Sequence, residues 1–80
     1  MVSDRRYHVT VKSVNGHIIC DVDTKGKFPQ DAVVEAMTSE GFDITLKSVV
    51  KYMGKSKEVA IVSLLDGSKH SETYYNILFD

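Results

Sequence analysis

The chain has 80 residues, 42% of them apolar, and ten Lys and Arg against eleven Asp and Glu give a formal charge of −1. That balance argues against a strongly basic nucleic-acid domain and equally against an acidic mimic of DNA. The apolar share is too high for disorder, and no run approaches the ~20 apolar residues of a membrane span.

Cys20 is the only cysteine, so no disulfide can form within the chain and a reducing compartment is expected. The N-terminus, Met1-Val2-Ser3-Asp4-Arg5-Arg6, lacks the apolar run of a secretion signal,. Cytoplasmic residence is the expectation. Composition is even along the sequence, with no repeat or linker, so residues 1–80 read as a single domain.

Tyr7, Val9 and Val11 alternate with His8, Thr10 and Lys12, the period-two pattern of a half-buried strand. Asn15-Gly16 then predicts a two-residue type I′ hairpin turn, and residues 17–23 predict a second strand. The turn sets a register that pairs Val14 with His17, Val11 with Cys20, Val9 with Val22 and His8 with Asp23. One face then holds Tyr7, Val9, Val11, Ile18, Cys20 and Val22. The other holds His8, Thr10, Lys12, Asp21 and Asp23, and Ile19 is the main exception. A slip of one residue would destroy the match.

Lys25-Gly26-Lys27 reads as a loop. Pro29 suits a first helical turn, and Ala32, Val33, Ala36 and Met37 form an apolar stripe at helical spacing. Gly41 follows as a left-handed stop with Phe42 folding back, so the helix is placed at 29–40. Residues 43–53 are rich in β-branched side chains and predict a third strand. Gly54-Lys55-Ser56 predicts a turn, and the nearly continuous apolar run Val59–Leu65 predicts a strand covered on both faces. Asp66-Gly67 is a second hairpin signal. Residues 71–79 fit a strand through Thr73, Tyr75, Ile77 and Phe79, or a helix through Tyr74, Ile77 and Leu78. The strand is preferred because Asp-Gly after a strand closes a hairpin.

The expected fold is α+β, in the order β-β-α-β-β-(β): a largely antiparallel sheet of four or five strands with one helix on one face. A helix of that length is about 18 Å long and covers about three strands. The sheet keeps a second face, expected to include Val62, Leu64, Tyr74 and Leu78, and a surplus apolar face marks a partner surface. The expected partner is a protein, either a second copy or a host factor.

Catalytic and metal chemistry find little support. Cys20 points to the core side, where a thiol is inert. His8, Asp21 and Asp23 point outward, and His17 lies roughly 15–20 Å from Asp23 by strand rise. No spacing typical of metal ligands occurs. A cross-strand His8–Asp23 contact is expected instead, with Asp23 raising the His8 pKa. Exposed Asp21 and Asp23 make poor general acids, and no serine lies in a nucleophile motif. Gly54-Lys55-Ser56 ends like a phosphate-binding loop, but Val49 stands where that motif needs glycine. No enzyme activity, cofactor or metal is expected.

The alternative is a nucleic-acid binder using Lys12, Lys47, Lys51 and Lys55, with Tyr74 and Tyr75 as stacking surfaces. Asp21, Asp23, Glu58 and Glu72 lie in the same region and oppose it.

The order hairpin, helix, then Gly41-Phe42-Asp43-Ile44-Thr45 opening a strand resembles the small early proteins with which T7-type phages inhibit host RNA polymerase. The similarity spans roughly residues 6–50. That family carries key arginines on the third strand; the matching positions here are Leu46 and Ser48, with Lys47 between them. The resemblance implies a class, a small viral-type regulator or inhibitor of a larger host protein, and assigns no functional residue.

Overall fold

The computed structural model describes residues 4–54, 57–66 and 71–79. Five strands form one sheet: β1 (Arg5–Lys12), β2 (Ile18–Gly26), β3 (Val49–Lys51), β4 (Glu58–Leu64) and β5 (Glu72–Ile77). Their order is β2-β1-β4-β5-β3, and every neighbouring pair is antiparallel. The one helix, α1 (Pro29–Ser39), packs on one face. The fold is therefore α+β in the order β-β-α-β-β-β.

The first hairpin has the predicted register over most of its length, with His8 opposite Asp23, Val9 opposite Val22 and Val11 opposite Cys20. Its turn differs from the expected type I′. Gly16 has φ +85° while Asn15 has no positive φ, which leaves a type I turn closed by the Gly16 N–H on the Ser13 carbonyl at 2.9 Å,. Ser13, not Val14, faces His17, and its N–H donates to the His17 carbonyl at 2.8 Å. The Ser13 hydroxyl also accepts the N–H groups of Asn15 and His17.

The shifted turn forces a bulge. Lys12 pairs with Ile18 where Val11 pairs with Cys20, so Ile19 is the extra residue,. Ile18, expected on the core face, is 59% exposed. Ile19, which broke the alternation in the sequence, packs against the core instead. β2 also continues through Gly26, where a loop was expected.

Gly26 has a steric reason. A Cβ there would lie 2.9 Å from the Ala32 nitrogen, so the strand end and the start of α1 meet backbone to backbone. The helix buries Ala32, Val33, Ala36 and Met37. It ends as the sequence implies: Gly41 has φ +92°, the Phe42 N–H reaches the Met37 carbonyl and the Gly41 N–H reaches that of Thr38, both at 3.0 Å,.

The third segment is where sequence and structure part most. Residues 43–53 hold only the three-residue β3, preceded by a 3-10 turn at Leu46–Ser48. The Thr45 N–H donates to the Ser48 hydroxyl at 3.3 Å and the Ser48 N–H to the Thr45 carbonyl at 2.9 Å. These local bonds replace a sheet ladder, and they leave Val49 buried and Leu46 exposed.

β5 is a strand, with Ile77 buried and Tyr75 packed against the core. It pairs with β4 in antiparallel sense, Ile61 opposite Tyr74 and Val62 opposite Thr73. Most of the turn expected at Asp66-Gly67, and Lys55-Ser56 of the Gly54-Lys55-Ser56 turn, lie outside the described residues. Among the described residues no helix is long and apolar enough to cross a membrane.

Pairing fixes which side of β4 faces α1. Val9 lies opposite Val62, Tyr7 opposite Leu64 and Val11 opposite Ala60, so Ala60, Val62 and Leu64 share the covered face. Val62, expected on the free face, is 1% exposed in the core, and Leu64 packs against that core.

Candidate functional site

The open face of the sheet is built from the alternate set: His8, Thr10 and Lys12 of β1, Asp21 and Asp23 of β2, Val59, Ile61 and Ser63 of β4, and Tyr74 of β5. It divides into a polar part over β1–β2 and an apolar part over β4–β5.

In the polar part His8 sits between two carboxylates. Its Nδ1 is 2.5 Å from Asp23 Oδ1 and its Nε2 is 2.5 Å from Asp21 Oδ1, while the Thr10 hydroxyl donates to the same Asp21 oxygen at 3.0 Å. The Asp23 hydrogen bond is the largest cause of a raised His8 pKa; burial opposes it and Asp21 adds to it. The Asp21 pKa is lowered, first by the Thr10 hydroxyl and then by His8. The two ring nitrogens point to different acids on opposite sides, so the three side chains do not converge on one point. Among the described residues no group of three or more His, Cys, Asp or Glu is placed to hold a metal ion.

In the apolar part Val59, Ile61, Tyr74 and Tyr52 meet Val14 of the first hairpin turn around a groove of about 250 Å³. The Tyr52 and Tyr74 rings are tilted by 60° with centroids 5.8 Å apart, a geometry aromatic pairs favour. Lys12 and Lys57 stand at the rim. Asn76 anchors the chain beside the groove. This asparagine is buried; its Oδ1 accepts the Met53 N–H at 2.5 Å, and its Nδ2 donates to the Gly54 and Glu58 carbonyls at 3.3 Å.

The residues singled out in the sequence are thus scattered. Tyr74 lines the groove, and Leu78 is partly exposed just beyond β5. Val62 and Leu64 belong to the opposite face. Of the four lysines singled out, Lys12 reaches the groove. Lys47 is exposed on the 3-10 turn, and Lys51, opposite Tyr75 and in register with Ala60, belongs to the covered side. Lys55 lies outside the described residues. Tyr75 is half-buried on the covered face, where burial raises its pKa. Sequence reasoning missed Val14, Tyr52, Val59 and Ile61.

Cys20 is buried beneath α1, its Sγ 3.7 Å from the Ala36 carbonyl oxygen, and burial pushes its pKa up. Both effects disfavour a reactive thiolate.

No protein-family model, no curated protein and no solved structure matches the chain.

Proposed function

We propose that this protein is a small non-catalytic module that binds another protein through its open sheet face and so acts as a regulator or inhibitor of a larger partner. The observation that carries the reading is the groove of Val14, Tyr52, Val59, Ile61 and Tyr74, which gathers aliphatic and aromatic surface from four separate segments. Interfaces draw their binding energy from a few aromatic and aliphatic anchors inside a polar rim. Lys12 and Lys57 at the rim favour an apolar segment flanked by acidic residues. The resemblance of residues 6–50 to phage inhibitors of host RNA polymerase agrees with a large host protein as partner, in the cytoplasm; a dimer formed through the same face is the simplest variant.

A photo-crosslinking residue placed at Tyr74, compared with one at Glu35 on the helix surface, tests the reading in cells of the native host. One discrete adduct is expected at 74, none at 35, and loss of the adduct in Ile61→Asp. Adducts equal at the two positions, or none at either, would sink it.

One observation favours a second reading: the structure does bring two tyrosines and two lysines together, the elements of a base-stacking surface,. Titration with a labelled single-stranded oligonucleotide separates the readings. Binding that falls steeply with salt supports the second, and no binding at low salt ends it.

A further inference from the structure

We propose that the covered face carries a separate small-ligand site, a cleft between the start of α1 and strands β4–β5 that takes an organic anion with an apolar body. The cleft encloses about 370 Å³, within the range of small-molecule sites. Its apolar wall is Val62, Leu64 and Phe28, and its charged residues are Arg5 and Lys27. Among the described residues no carboxylate lines it and neither cation forms an ion pair. A site with two cations and an apolar wall suits a ligand that is anionic at one end and apolar at the other,.

Two further features aim at the same space. Tyr7 is only 5% exposed and lines the cleft, yet among the described residues its hydroxyl makes no hydrogen bond. That hydroxyl can donate to a ligand oxygen in the cleft,. The second feature is Phe28, which occupies the N-cap position of α1 without capping it and is 59% exposed at the cleft wall. Ser, Thr, Asp or Asn would cap the helix there. A position that breaks a local rule without a packing gain points to function.

Titration of the full chain by amide NMR with benzoate, phenyl phosphate, inorganic phosphate and benzyl alcohol tests the site and separates carboxylate from phosphate ligands. Saturable shifts are expected at Tyr7, Lys27, Phe28, Leu64 and Thr73 with one or both organic anions, at an affinity at least about tenfold above inorganic phosphate and benzyl alcohol. Tyr7→Phe should weaken binding several-fold with the fold unchanged, and the surface pair Arg5→Gln/Lys27→Gln by about tenfold or more. No saturable shift, phosphate alone binding as well as phenyl phosphate, or binding unchanged in the Arg5/Lys27 double variant would overturn the proposal. These outcomes leave the open-face reading untouched, because its groove is on the other side of the sheet.

Discussion

The two faces of this sheet are made from the same five strands and solve opposite problems. On the covered face, small residues let the helix come close: Ala32 and Ala36 of α1 are fully buried, Ala60 is buried on the same face, and Gly26 brings strand and helix backbones together. On the open face, order comes from polar brackets, the His8–Asp21–Asp23 cluster and the Asn76 amide, with half-buried Val59 and Ile61 between them. Stability is concentrated on one side, which leaves the other free to vary its chemistry.

The largest test of that contrast is Met37→Ala against Ile61→Ala. Met37 is fully buried, and truncation there is expected to cost about 2–5 kcal/mol in urea unfolding. Ile61, half-buried on the open face, should cost less than half as much; equal losses would erase the distinction. Gly26→Ala comes next. The added Cβ meets backbone at 2.9 Å, and displacement of α1 from β2 should cost about 1–3 kcal/mol. Asn76→Ala leaves the Met53 N–H and the Gly54 carbonyl without their partner. A loss of about 1–3 kcal/mol is expected, with altered amide shifts at Tyr52 and Tyr74 showing that the groove has loosened.

The smallest expected effect is electrostatic. His8 has a pKa raised above 6.5 in the folded chain, so the folded state holds the proton more tightly than the unfolded one. The stabilisation is complete below pH ~6.5 and is lost as pH rises through the raised value,. More than a third of the His8 side chain is exposed, which limits the contribution to less than about 1 kcal/mol. The difference in melting temperature between the native chain and His8→Ala should therefore shrink from pH 6 to pH 9,. An NMR titration placing His8 below 6.5 would contradict the paired geometry.

How much of this was legible in the sequence depends on how each element is specified. The alternation of Tyr7–Lys12 and the Pro29 and Gly41 boundaries are local, and the structure has them nearly as written. The Ile18–Ile19 bulge depends on the Ser13 carbonyl and hydroxyl drawing the turn back by one position, which no apolar pattern records. Residues 43–48 carry β-branched side chains, yet the Ser48 hydroxyl and the Thr45 carbonyl hold a 3-10 turn against that propensity. The facing of β4 was not legible at all. Val59–Leu65 is apolar at nearly every position, so both parities look equal, and only the distant pairing of Val9 with Val62 decides between them. That one ambiguity moved Val62 and Leu64 to the wrong side and hid Val59 and Ile61.

The strand order also sets the order in which the chain can be completed. β1, β2 and α1 lie within residues 5–39 and contact one another, so they can assemble from a short stretch of chain,. β3 pairs with β5 alone, through Val49 opposite Ile77 and Lys51 opposite Tyr75. It therefore waits for residues 72–77, although it comes before them. The amides of this three-residue rim strand should exchange with solvent well before those of β1, which is flanked on both sides,.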